Sequence, residues 1–393
     1  MSGAKAHDVA VIGAGVFGSW TAHFLNRAGK KVVLLDAYGP ANSRASSGGE
    51  SRIIRAGYGA DEIYSRWAMR SLNAWKEFFA RVGKPLFHRT GMLWLAREDD
   101  SYVRSTRETL ARLGARFEPL DRSEIAKRFP QFALDDVAGG LFEPESGALM
   151  ARRAVQAVVE DAARNGVAYE TARVSAPTGR GRVTTVATES GVAIRAETFV
   201  FACGPWLGKV FPDLLGDRIF PSRQEVFFFG APAGAAQFTS PAMPTWIFHA
   251  DEIYGFPDLE SRGAKVAFDH HGPAFDPDTG VRVASAEGIE AIRRYVARRF
   301  PALAGAPIVE TRVCQYENTS SGDFLIDRHP EFENVWLVGG GSGHGFKHGP
   351  ALGEYVAGRV LGAACPAWSG ESEEVERRFS LATKQRVQKR AVF

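Results

Sequence analysis

The sequence predicts an α/β chain in which helices wind about a parallel sheet and a mostly antiparallel sheet is threaded through it. Three observations predict this. A complete βαβ unit opens the chain, β-rich segments fill its middle, and a strand, a glycine-rich loop and a helix follow near its end.

In the opening unit, Val9-Ala10-Val11-Ile12 reads as a buried strand, followed at once by Gly13-Ala14-Gly15-Val16-Phe17-Gly18. A helical run from Ser19 to Arg27, a stop at Gly29 and a second apolar strand from Val32 to Leu35 complete the unit, which ends on Asp36. Gly13 permits the tight turn, Gly15 lets the backbone approach a pyrophosphate, and Gly18 allows the helix to pack closely on the strand. Asp36 follows Gly13 by 23 residues, where an acid binds ribose hydroxyls. A glycine-rich turn of no special purpose would leave Asp36 unexplained, so the unit reads as a Rossmann-like dinucleotide site that includes Val16 and Phe17.

Asp61 to Val82 has helical periodicity, and its stripe of Ile63, Trp67, Leu72, Trp75, Phe78 and Phe79 reads as core rather than as a cofactor wall. Leu93-Trp94-Leu95 reads as a strand, Ser101 to Leu113 as a helix, and Ser123 to Phe129 as a short helix stopped by Pro130. Gly140 to Glu143 is a strand and Ala151 to Asn165 a helix closed by Gly166. The pattern from 167 to 202 is β and ends in a buried strand, 198–202, leading into Cys203-Gly204-Pro205-Trp206. Residues 219–230 and 245–268 carry the β-branched and aromatic residues of an antiparallel sheet. A helix at 285–300, strands at 324–327 and 335–338, the glycine-rich stretch 339–349 and a helix at 350–361 complete the chain.

Nucleotide-binding elements therefore recur at 198–206 and 335–361. This predicts a discontinuous cofactor domain (1–83, 138–215 and 323–393) and an interleaved substrate domain (84–137 and 216–322). At 393 residues two packed domains are expected, and 45% hydrophobic with 24% charged residues is globular. A net charge of +3 gives no footprint for nucleic acid. Three scattered cysteines, Cys203, Cys314 and Cys365, suit neither a disulfide framework nor a metal site, and they fit a reducing compartment. The N-terminal Met1 to Lys5 carries no apolar signal segment, and no apolar run approaches the ~20 residues of a membrane span. A cytoplasmic protein is expected.

A second cluster carries the chemistry: Cys314-Gln315-Tyr316-Glu317-Asn318-Thr319, then 323–330, then Gly339-Gly340-Gly341-Ser342-Gly343-His344-Gly345-Phe346-Lys347. With the glycine turn, Ser51-Arg52-Ile53-Ile54-Arg55, Tyr254 to Pro257, Lys265 and Phe275 to Thr279, it resembles the monomeric sarcosine oxidase and N-methyltryptophan oxidase family of D-amino-acid-oxidase-like flavoproteins. The likeness runs nearly end to end.

That resemblance implies FAD bound by the first domain, joined by a thioether from its 8α-methyl group to Cys314. It implies that Arg55 and Lys347 hold a substrate carboxylate, Arg as a planar fork and Lys as a point charge. Arg52 matches a second arginine near the flavin ring, and Tyr254 and Tyr316 match residues lining the substrate cavity. His344 is placed to hydrogen-bond flavin or substrate, or serves as a buried structural histidine. Lys265 matches the lysine that activates oxygen through its charge. Gly340, Gly341, Gly343, Gly345, Phe346 and Lys347 would lie along the flavin. Ser46 and Ser47 would meet the pyrophosphate, and Val174, Cys203, Gly204 and Trp206 complete the cofactor set, with the thiols of Cys203 and Cys365 structural. Two departures stand out. Asp269 replaces a histidine four residues after Lys265, where it could pair with that lysine, and 46–50 lacks the histidines that sarcosine oxidase carries.

The implied activity is oxidation of a secondary amino acid, such as an N-methyl amino acid, to an imine that water hydrolyses, with O2 reduced to H2O2. A cyclic imino acid such as pipecolate or proline, or a glycated amino acid, is an alternative substrate. A dehydrogenase with another acceptor and a non-catalytic flavin-binding protein are the other readings. The expected partners are a small amino acid and O2, with no metal, no membrane and a monomeric chain.

Overall fold

The structure is a computed structural model that describes residues 7–362 and 372–388. The expectations for Met1 to Lys5 and for Cys365 lie outside the described residues.

Seven strands form the first sheet. Its path runs Leu325–Arg328, Val335–Gly339, Ala193–Phe201, His7–Ile12, Val32–Asp36, Ala168–Thr171, with Thr185–Ala187 paired beside Ala193–Phe201. His7–Ile12 lies parallel to both neighbours, with Ile12 opposite Leu35 on one side and Phe201 on the other. Such a strand is covered on both faces, which is why 9–12 is continuously apolar and buried. The first helix is Val16–Arg27, so it starts three residues before the expected Ser19. The glycine turn is short enough for the helix to begin inside the motif. Gly13 has φ +108°, and a Cβ there would lie 2.2 Å from Ala202 O; one on Gly18 would lie 1.8 Å from Gly13 O. Both glycines are demanded by backbone packing alone.

The second sheet has eight strands in the order Ile308–Asn318, Phe220–Phe229, Ala264–Phe268, Ile253–Phe256, Thr245–Phe248, Met92–Ala96, Gly139–Glu143, Glu118–Asp121. All neighbours are antiparallel except Thr245–Phe248 with Met92–Ala96. Two features differ from the reading of the sequence. Ile308–Asn318 is one long strand, and Gly139–Glu143, within the segment 138–215 expected in the cofactor domain, pairs in this second sheet. Strand pairing overrides a boundary drawn from local pattern.

A small third sheet joins Arg52–Ile54 and Phe87–His88 to Gly147–Leu149. The helix Glu62–Val82 buries its aromatic stripe in the core of the first sheet. Trp75 on that helix stacks on Phe346 at 5.9 Å and donates Nε1–H to Lys347 O at 3.1 Å. A core helix thereby fixes the segment after the glycine loop. A further helix, Ser372–Phe379, was not legible in the sequence.

Candidate active site

A cavity of about 370 Å³ opens at the glycine turn and runs over the C-terminal ends of His7–Ile12 and Val32–Asp36. This is where ligands bind on an open parallel sheet. Gly13, Gly15, Val16, Phe17, Asp36, Ser46, Ser47, Arg52, Val174, Cys203, Gly204, Trp206, Cys314, Gly341, Gly343, Gly345 and Phe346 line it. Of the expected cofactor residues, Gly18, Gly340, His344 and Lys347 do not. Gly18 packs on Gly13, and a Cβ on Gly340 would lie 2.6 Å from Thr319 Cγ2, so both serve the frame of the site.

One group of lining residues surrounds Tyr38, which sequence reasoning missed. Its ring meets Trp206 at 5.8 Å, and the Arg173 guanidinium donates to its hydroxyl. Trp206 donates Nε1–H to Asp278 at 2.7 Å, which ties the loop after the strand Ala264–Phe268 to the cavity. The Asp36 carboxylate accepts Ala14 N–H at 2.8 Å and Tyr38 N–H at 2.9 Å, and burial raises its pKa. A carboxylate has about four acceptor sites, so it retains capacity for a ribose. Ser47 Oγ accepts from Val16 N–H at 3.1 Å, while Ser46 Oγ donates to Gln315 O at 2.8 Å.

A second group centres on Cys314 in the long strand. Arg52 Nη2 lies 3.2 Å from Cys314 Sγ and donates also to Ser46 O at 2.7 Å; Arg52 Nη1 donates to Ser51 O at 2.8 Å. This contact puts a guanidinium directly against the sulfur. Cys203 is different: burial raises its pKa, and its Sγ–H points at Ile12 O at 3.6 Å.

Arg55 and Lys347 are buried, with 3% and 4% of their surface exposed. The Arg55 guanidinium lies between the rings of Tyr58 at 4.2 Å and Trp94 at 4.7 Å and donates to Gly57 O. Glu143 holds that loop, accepting Ala56 N–H at 2.7 Å, Gly57 N–H at 3.1 Å and Trp94 Nε1–H at 2.8 Å. Lys347 Nζ donates to Tyr58 Oη at 2.7 Å and to His344 O at 3.0 Å. Burial and the Arg55 charge hold the Lys347 pKa well below its usual value.

His344 is part of this support. Its Nε2 lies 3.0 Å from Gly322 O, which can only accept, so Nε2 carries the proton. Its Nδ1 then accepts from Tyr58 Oη at 3.2 Å, and Tyr58 Oη in turn accepts from His348 Nε2–H at 2.7 Å. Tyr58, Trp94, Glu143 and His348 escaped the sequence reading because nothing local marks them.

Lys265, 2% exposed, donates to Ser51 O at 3.0 Å and to Ser51 Oγ at 3.3 Å, and Nζ lies 4.3 Å from the Phe256 ring centroid. Burial holds its pKa well below the usual lysine value. Tyr254, half-buried on the neighbouring strand, lies 5.8 Å from the same nitrogen. Asp269 does not pair with Lys265. It accepts from Tyr316 Oη at 2.8 Å, because the strand ends at Phe268 and the chain turns away.

The sequence profile of the DAO family, described as FAD dependent oxidoreductase, matches residues 8–359. The chain is 31% identical to the monomeric sarcosine oxidase of Streptomyces avermitilis, over 90% of this chain and 94% of that protein. It is 28% identical to the N-methyl-L-tryptophan oxidase of Salmonella heidelberg, over 91% and 95%. Among solved structures, the L-proline dehydrogenase from P. horikoshii matches in fold with a TM-score of 0.81, at 22% identity, covering 95% of this chain and 99% of that one. The cavity fits a dinucleotide by its own geometry. Gly15 lines it, and a Cβ there would meet nothing closer than Ser47 Oγ at 3.5 Å, so packing does not explain that glycine and a close-lying ligand does.

Proposed function

The chain belongs to the DAO family of FAD dependent oxidoreductases, and on that premise we propose that it is an oxidase of secondary amino acids, N-methyl amino acids foremost. The observation that carries this reading is the buried pair Arg55 and Lys347, both braced by Tyr58. Two buried cations sharing one support offer a carboxylate both a fork and a point charge.

Asp36, the glycine turn and the Ser46–Ser47 segment would hold the nucleotide portion of FAD. Cys314, with the Arg52 guanidinium 3.2 Å from its sulfur, would carry the thioether to the 8α-methyl group. Bound FAD supplies the two-electron acceptor, and O2 takes the electrons on with two protons as H2O2. The chain's own task is positioning. Arg55 and Lys347 fix the substrate carboxylate, so the amine and the carbon that loses hydride are held in one orientation. An amine bound neutral has its lone pair available, so no strong general base is required. The resulting imine is hydrolysed by water to aldehyde and amine. Protonated, Lys265 would bring a buried positive charge of the kind that stabilises developing negative charge on oxygen. The assignment of 1–83, 138–215 and 323–393 to the cofactor and 84–137 and 216–322 to the substrate belongs to the same proposal, with Gly139–Glu143 moved to the second set. So does a monomer working in the cytoplasm; among the described residues no helix is long and apolar enough to cross a membrane.

The test is a peroxide-coupled screen in air of N-methyl amino acids, cyclic imino acids and glycated amino acids, each beside its methyl ester. Peroxide from an N-methyl acid and little from its ester is expected. Equal rates on acid and ester refute the role of Arg55 and Lys347. Bleaching of the flavin by substrate without peroxide assigns another electron acceptor.

A further inference from the structure

The strand Ala264–Phe268 and the residue after it deliver two ionisable side chains to different places. Lys265 goes to Ser51. Asp269, anchored by its own N–H on Glu252 O at 2.6 Å, turns to Tyr316, whose hydroxyl it accepts at 2.8 Å. Tyr316 lines the cofactor cavity, so Asp269 stands one phenol away from it. The cations acting on Asp269 are Arg55 and Lys347, and Asp269 acts on both of them in return. The residue as a whole is partly exposed.

Taking the amino-acid oxidase reading as its basis, we infer that Asp269 determines substrate specificity by accepting a hydrogen bond from a hydroxyl on the side chain or N-substituent of the amino acid. A carboxylate accepts at about four sites, of which the Tyr316 bond uses one. A purely apolar substrate closing over Asp269 removes its water and returns nothing, which is a cost. The amine is not the productive partner. A carboxylate against it favours the ammonium form, which has no lone pair to give up. A second carboxylate on the substrate would meet like charge. A cationic group would meet like charge from Arg55 and Lys347, the two cations that act on Asp269. A neutral hydroxyl meets each of these constraints.

Two matched pairs test the inference: N-methyl-L-serine against N-methyl-L-alanine, and N-(2-hydroxyethyl)glycine against N-propylglycine. Anaerobic binding is read from the perturbed flavin absorbance, and kcat/KM from peroxide, at mildly alkaline pH in wild type, Asp269→Leu and Asp269→Asn. In at least one pair wild type should favour the hydroxylated member by about tenfold or more, in binding and in kcat/KM. Asp269→Leu should bring that ratio to within about threefold, while Asp269→Asn, which retains an acceptor oxygen, keeps most of it. No preference in either pair overturns the inference, and so does a ratio that survives in Asp269→Leu while both rates fall together. Flavin reduction by both members without preference leaves the oxidase reading intact; no binding and no reduction by any of the four overturns both.

Discussion

The phenol oxygen of Tyr58 lies 2.7 Å from Lys347 Nζ, while the ring of the same tyrosine covers the Arg55 guanidinium at 4.2 Å. One side chain therefore braces both cations of the candidate carboxylate site, by a hydrogen bond on one side and a cation–π contact on the other. His344 and His348 fix the phenol in turn. Tyr58→Phe retains the ring and deletes the bond to Lys347. It should raise KM for the amino acid by roughly tenfold with a smaller change in kcat, as loss of a hydrogen bond to a charged group predicts. Tyr58→Leu removes both supports and should cost more. Steady-state kinetics of the two variants decide; an unchanged KM in both shows that the cations hold themselves.

Lys265 separates two half-reactions. Its side-chain nitrogen is buried against Ser51 and Phe256, and among the described residues no carboxylate is hydrogen-bonded to it. Lys265→Met retains bulk and removes the charge. Flavin reoxidation by O2 should slow by about 10²–10³, the usual effect of losing one preorganised charge-stabilising group. Anaerobic reduction by substrate should change far less. Stopped-flow traces of both steps check this, and a variant reoxidised at the wild-type rate places oxygen activation elsewhere.

Arg52 Nη2 lies 3.2 Å from the sulfur of Cys314, the proposed attachment point of the flavin. Denaturing electrophoresis should leave a fluorescent band on the wild-type chain and none on Cys314→Ala. Arg52→Leu should slow the appearance of that band, because the sulfur loses its guanidinium neighbour. If acid precipitation of wild type sends all yellow colour into the supernatant, attachment is non-covalent.

Glu317 predicts a pH dependence of stability. It lines the cofactor cavity, its Oε1 finds no hydrogen-bond partner among the described residues, and burial lifts its pKa from 4.5 to about 7. Between those values the folded chain holds a proton that the unfolded chain has released, so this group's contribution to stability falls as pH rises through the window and levels above about 7. Glu317→Gln removes the ionisation. Melting temperatures of variant and wild type should differ least near pH ~4.5 and separate in the variant's favour by pH ~8. A gap of the same size at both pH values shows that Glu317 does not titrate there.

Much of the frame was legible because it is local. The opening βαβ unit, the aromatic stripe of Glu62–Val82 and the strand before the glycine loop each carry their periodicity within a dozen or two residues. The helix start was misplaced by three residues, since a glycine motif does not announce where helical hydrogen bonding begins. The long strand Ile308–Asn318 was overlooked because its first half is charged and half-exposed, and only its pairing with Phe220–Phe229 makes it a strand.

The sequence by itself determined the nucleotide-binding unit, the two kinds of sheet and the residue types of the candidate site, because motif spacing and periodicity act over short range. Tertiary structure alone decided who meets whom. Tyr58 reaches Lys347 across 289 residues and Arg52 reaches Cys314 across 262. Asp269, four residues from Lys265 in the chain, turns instead to Tyr316, 47 residues away. Such contacts follow from sheet order and from where each strand ends, and these are set by the packing of the whole chain rather than by any segment of it.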